Sequence, residues 1–239
     1  LIDKSFVEKI VEIAATKAVM IDGTEFSSRP VFNPPIIAEE RPDTIVVASL
    51  SAVRDFCNAF VDPDGTHVLH IIDERTVALL GPILPISKKR EQRLIARVPN
   101  KAFGFGDFIE HDDFMIQLMS MFDPHYGDVA EILRMMGTVK SEGVRTSMDD
   151  GVSQKVTASS GVTLVQELVV KNPVNLQPYR TFLDVTQPPS KFILRLEAEE
   201  GGLPSAALFE GDGGRWRVEA VDNIATYLRA FTSGIVVVG

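Results

Sequence analysis

Asp107, Glu110, His111 and Asp113 are the residues whose types and spacing come closest to chemistry in this chain. On a helix starting at Asp107, Asp107 and His111 would lie one turn apart, as would Glu110 and Asp113. Carboxylates grouped in this way, with an imidazole beside them, suit a hard divalent cation such as Mg²⁺, which takes oxygen ligands. The same residues have a plainer use, because acids near a helix N-terminus are stabilised by the helix dipole. The plainer reading is preferred, so no bound metal and no cofactor are expected.

Other candidates lead away from catalysis. His67 and His70 are three residues apart in a predicted strand and point to opposite faces. Cys57 is the sole cysteine and sits among apolar residues, where it reads as a small buried hydrophobe. One cysteine allows neither an internal disulfide nor a cysteine-based zinc site. Gly104-Phe105-Gly106 and Gly211-Asp212-Gly213-Gly214 each precede a predicted helix, without the spacing of a phosphate loop. They read as tight turns needing positive φ. With no nucleophile-elbow, paired-histidine or kinase pattern either, the chain is not read as an enzyme.

The net charge of −9 repels a polyanion such as DNA at long range. The one dense basic run, Lys88, Lys89 and Arg90 followed by Arg93 and Arg97, lacks the interleaved aromatics of a single-strand binder. It reads as a solvated face, and nucleic acid is not an expected partner. No run of 18 apolar residues exists to span a membrane, and no secretory signal is read at the start.

These residues must be positioned by a mixed set of elements. Residues 5 to 18 carry helical spacing, with Ser5 and Glu8 as a capping box. Residues 27 to 43 are proline-rich and read as an extended arm anchored by Val31, Phe32, Ile36 and Ile37. A short buried strand over 44–48, a helix from Ser49 or Ser51 to Phe60, and a hairpin turning at Asp73 and Glu74 follow. Gly81-Pro82 reads as a break before a strand over 90–98. A central helix pair spans 107–122 and 123–136, the second started by Asp123-Pro124 and stopped by Gly137. Strands then dominate, at 152–158, 162–170, 179–185, 191–197 and 206–209, before a helix over 215–231 and an apolar tail at 235–238. Val218, Val221, Ile224, Ala225, Leu228 and Phe231 are read as that last helix's apolar face.

The expected fold class is α+β, with mixed, mainly antiparallel sheets, a central helix pair and N- and C-terminal helices. The chain is taken as a single domain over 1–239, with 1–140 and 141–239 as its halves if it forms lobes.

The stretch from Lys171 to Phe182, followed by Gln187-Pro188 and Phe192 to Leu196, and the segment Trp216 to Leu228 with its Ala-Val-Asp-Asn-Ile-Ala centre, resemble the YfdQ-like family of uncharacterised tailed-phage and prophage proteins. The resemblance covers about residues 162–230. It implies a phage product in the cytoplasm of the infected or lysogenic bacterial host and carries no catalytic residues. The expected function is a non-enzymatic structural protein whose partner is itself, a homo-oligomer that could close into an icosahedral shell of the phage-capsid (HK97-like) fold. Tyr179 and Phe182, in a second proline-rich segment, join Val31, Phe32, Ile36 and Ile37 as interface candidates. The alternative is an accessory protein in phage recombination or counter-defence that binds DNA or a host DNA-binding protein.

Overall fold

The structure is a computed structural model that describes residues 3–14, 18–21, 24–27, 43–61, 66–84, 87–99, 101–138, 144–149, 154–159, 165–197, 203–232 and 234–239. The chain forms two compact units, Leu1–Arg41 and Pro42–Gly239.

The smaller unit holds helix α1 (Lys4–Ala14) and strands β1 (Ala18–Ile21) and β2 (Thr24–Ser27), which pair as an antiparallel hairpin. The Asp3 carbonyl accepts the Phe6 and Val7 N–H groups at 3.1 and 3.3 Å. Asp3 therefore stands where Ser5 was expected, and the Ser5 hydroxyl donates to the Asp3 carboxylate instead of capping. The proline-rich segment with Val31, Phe32, Ile36 and Ile37 lies outside the described residues.

The larger unit runs β3 (Ile45–Val47), α2 (Leu50–Phe60), β4 (Val68–Asp73), β5 (Thr76–Ile83), β6 (Arg90–Arg97), α3 (His111–Met121), α4 (Val129–Thr138), β7 (Val144–Asp149), β8 (Gln154–Ser159), β9 (Val165–Val170), β10 (Val174–Leu176), β11 (Ser190–Glu197), β12 (Ser205–Glu210), α5 (Arg215–Phe231) and β13 (Val236–Val238). It is an α+β fold with mainly antiparallel sheets. The strand orders are β13-β4-β5-β6-β3, β10-β11-β12 and β7-β8-β9.

In the five-stranded sheet, strand alternation sends every second residue to one face. Val237, Leu69, Leu79, Leu94 and Ile45 fall in one register row across all five strands. Leu69, Leu79 and Leu94 are fully buried against Leu50, Val53 and Cys57 of α2 and Ile224, Ala225 and Leu228 of α5. Helix α2 is fixed at its start by Ser49, whose hydroxyl accepts the Ala52 N–H at 3.2 Å. The Asp184 carboxylate accepts the Leu50 and Ser51 N–H groups at 3.1 and 3.0 Å, so three of the helix's orphan donors find partners.

A second core packs Phe114, Leu118, Ile132 and Met136 of α3 and α4 on Leu176, Phe192, Leu194 and Leu208 of the three-stranded sheet. Phe103 and Phe122 meet edge-on there at 5.1 Å between ring centroids. Both cores draw residues from before and after position 140.

Several elements depart from expectation, each for a local reason. Helix α3 begins at His111 and not at Asp107, because Ile109 exchanges two backbone hydrogen bonds of 2.9 Å with Ala206 and is held extended. Helix α4 begins at Val129. The Asp123 carboxylate accepts the His125 N–H at 2.9 Å, making a turn of Asp123-Pro124, and the chain then passes Gly127 at φ +60°. A Cβ at Gly127 would lie 2.0 Å from the Asn175 carbonyl oxygen, so only glycine fits. Gly137 does not stop the helix, which continues to Thr138.

Tyr179–Val185 is not a strand, because the Gln187 side-chain oxygen accepts the Arg180 and Thr181 N–H groups at 3.0 and 3.2 Å. Gly81-Pro82 lies inside β5 and not in a break, absorbed by a register shift between Leu80 and Ile83. β3 is an edge strand with exposed side chains where a buried strand was expected. On α5, Trp216 and Ala220 take the buried positions, while Val218 is 66% exposed and Phe231 48%.

No helix among the described residues is long and apolar enough to cross a membrane. The Leu79→Ala variant should lose about 2–5 kcal/mol of stability, because the central row cannot collapse around the cavity. Urea denaturation followed by circular dichroism measures the loss.

Candidate functional site

The expected acid–imidazole cluster does not assemble. Asp107 lies in the exposed turn before Ile109, and Glu110 is the N-cap residue of α3 with no side-chain capping bond. His111 Nε2 is 3.0 Å from the Met136 carbonyl oxygen and Nδ1 is 3.0 Å from the carboxylate of Asp112, which the sequence pattern did not single out. Both ring nitrogens are occupied by partners within the chain, so neither is open to a cation. Asp113 is exposed on the first turn of α3. Among the described residues, no three His, Cys, Asp or Glu side chains converge to hold a metal ion.

The other candidates are equally accounted for. Arg90 donates to the carbonyls of Thr66 at 2.7 Å and Gly81 at 2.9 Å, and Arg93 pairs with Glu91 at 3.3 Å, so two members of the basic strip are engaged by their own chain, while Lys88, Lys89 and Arg97 are exposed. His67, just before β4, is buried, and His70, within β4, is exposed. Tyr179 is half-buried, its N–H donating to the Met121 carbonyl at 2.8 Å. Phe182 is 1% exposed and fills the core under the five-stranded sheet, so it is not presented to a neighbouring molecule. Burial pushes the Cys57 thiol up to about 11, which leaves it protonated and unreactive near neutrality.

The densest polar arrangement centres on Arg180, which sequence reasoning missed. The irregular 177–189 segment delivers it, 2% exposed, against Phe105 and Phe192 of the second core. Its guanidinium donates to the Glu210 carboxylate at 2.8 Å, to the Ser190 hydroxyl at 2.5 Å and to the Pro188 carbonyl at 3.4 Å. The Trp216 ring lies 3.9 Å from it, with Phe105 and Phe192 at 5.7 and 5.6 Å. Ser190 passes the polarisation on, donating to the Asp212 carboxylate at 2.5 Å. Asp212 in turn accepts the Gly214 N–H at 3.0 Å, just ahead of α5. Burial lowers the Arg180 pKa to about 10 against the pull of Glu210 and Asp212, so the group remains a cation near neutrality.

Beside this network lies an open groove of about 420 Å³, lined by Tyr126, Asn175, Lys191, Arg215 and Glu219 with Ser190, Asp212 and Trp216. Gly213 and Gly214 have φ of +65° and +81°, so the glycine run is the tight turn expected, and the Asp212 carboxylate already serves the helix start. The groove carries charges of both signs. Ser190 is bonded to Arg180 and Asp212 and has no imidazole or amine base among its hydrogen-bond partners. The arrangement therefore holds elements together and offers neither an activated nucleophile nor an anion cradle.

Searches of protein-family models, curated proteins and solved structures find no match to this chain.

What the geometry leaves unexplained is at the surface. The outer strands of the five-stranded sheet carry Ile45, Val46, Val236 and Val238 at 46%, 68%, 52% and 43% exposure. Uncharged edges of this kind are the usual place for another chain to add.

Two outcomes test the interior. Arg180→Met should cost about 2 kcal/mol by removing the buried bonds to Ser190 and the Pro188 carbonyl, and adding Glu210→Gln should recover little of that loss in a urea double-mutant cycle, because the Glu210 side chain reaches solvent. For Cys57, the raised folded pKa means its contribution is complete below pH 9 and declines as pH rises from 9 to 11. The urea-midpoint difference between the native chain and Cys57→Ala should therefore narrow across that window.

Proposed function

We propose that this chain is a non-enzymatic structural protein that assembles with copies of itself. In keeping with the resemblance to the YfdQ-like phage and prophage proteins, the assembly is a closed capsid-like shell of the HK97 kind, formed in the cytoplasm of the bacterial host.

The observation that carries this reading is the contrast between interior and edge. Several groups that could do chemistry are engaged by the chain itself, Arg180 by Glu210, His111 by Asp112 and Met136, and Arg90 by two carbonyls, and among the described residues the exposed acids Asp107, Glu110 and Asp113 do not converge into a metal-holding group. Apolar side chains stand instead on both outer strands of the largest sheet, Val46 being 68% exposed and Val236 52%. A protein that works through assembly needs such surface, and one that works as a lone soluble molecule is selected against it.

Light scattering and negative-stain electron microscopy of the purified protein should give uniform particles of many times the 26.2 kDa chain mass. A scattering mass equal to one chain would overturn the reading.

A further inference from the structure

Resting on that reading, we propose that the β3 edge of one copy pairs, parallel and in register, with the β13 edge of a second copy. The five-stranded sheets of successive molecules then become continuous.

Strand direction is the first argument. β13 is parallel to β4, β4 and β6 are each antiparallel to β5, and β3 is parallel to β6. β3 and β13 therefore run the same way at opposite sides of the sheet. Joining them head to tail makes one more parallel pair, the type each already makes with its inner neighbour.

Side-chain register is the second. On the core face the row is Val237, Leu69, Leu79, Leu94, Ile45, and on the other face it is Val238, His70, Ala78, Ile95, Val46. Setting Ile45 beside Val237 of the next copy sets Val46 beside Val238 of that copy. Both rows then continue across the join without a change of face, which a one-residue slip would destroy.

Edge chemistry is the third. β3 reads Ile-Val-Val and β13 reads Val-Val-Val, with matched length and no charge or proline in either. Charge, proline or a bulge is what normally protects an open edge from another chain. Among the described residues, neither strand pairs on its outer side. Because the two surfaces differ, the contact is heterologous: it builds rings where the rotation closes and open filaments where it does not, and it is distinct from a twofold dimer contact.

The test uses the full chain. Within one molecule, positions 46 and 238 are separated by four strand spacings, roughly 19 Å. A bifunctional thiol reagent shorter than that span can link them only between copies, and Cys57 is 2% exposed and shielded from it. A mixture of Val46→Cys chains with Val238→Cys chains should give cross-linked dimers, and the double variant should give a ladder of multimers. Val46→Lys, at an exposed position, should reduce the scattering mass to that of a single chain while its circular dichroism stays unchanged.

If the native protein scatters as one chain, the self-assembly reading itself fails. If the native protein assembles but the mixture does not cross-link and Val46→Lys keeps full mass, the edge pairing is overturned and self-assembly stands. Cross-linked dimers from Val46→Cys alone would also overturn it, in favour of β3 meeting its own copy.

Discussion

A guanidinium taken out of water needs several partners at once, and the positions of those partners then become fixed relative to one another. Arg180 imposes that constraint here. Its partners are the Glu210 carboxylate at the end of β12, the Ser190 hydroxyl at the start of β11, the Pro188 carbonyl, and the Trp216 ring on the first turn of α5. Moving any of these elements would leave a buried charge underpaired, at a cost of several kcal/mol. The ring N–H of Trp216 and the Nε of Arg180 have no hydrogen-bond partner among the described residues. The stacking of the two groups is thus retained at the expense of those donors.

The same segment ties the two cores together. From 177 to 189 the chain has no regular structure, yet it places Phe182 under the five-stranded sheet, Asp184 on the first N–H groups of α2 and Arg180 against Phe192 of the other core. Gln187 makes this possible. Its side-chain oxygen serves the Arg180 and Thr181 N–H groups, and its side-chain nitrogen donates to the carbonyls of Phe182 and Val185 at 2.8 and 3.1 Å. A buried irregular segment must account for every backbone polar group, and here one glutamine does much of that accounting.

What the sequence made legible was what short-range spacing controls. α5 spans 215–231 as expected, since its apolar residues recur at helical spacing and a glycine turn marks its start. The β4–β5 hairpin, the Ser49 cap and β11 and β12 followed the same logic. The failures came from partners distant in sequence. Nothing near Asp107 announces that Ile109 will pair with Ala206, so an acid-rich helix start was placed one turn early. Nothing near Arg180 announces Glu210 or Trp216, so the organising residue looked like one basic residue among others. The proline-rich surroundings of Phe182 suggest an extended arm with a surface anchor, whereas residues distant in sequence bury it. Composition predicts burial for Ile45 to Val47 and an apolar tail at 235–238, and neither local pattern reveals that both lie at the edges of one sheet.

The arrangement of the first core also bears on how the chain comes off the ribosome. The row of Leu69, Leu79 and Leu94 is synthesised well ahead of the helix that covers it, since Ile224 lies 130 residues after Leu94. At the usual elongation rate of about 5–20 residues per second, that greasy sheet face waits on the order of ten seconds for its lid. During that interval the nascent chain is a natural client for chaperones, and copies emerging side by side from one message are exposed to premature mutual association.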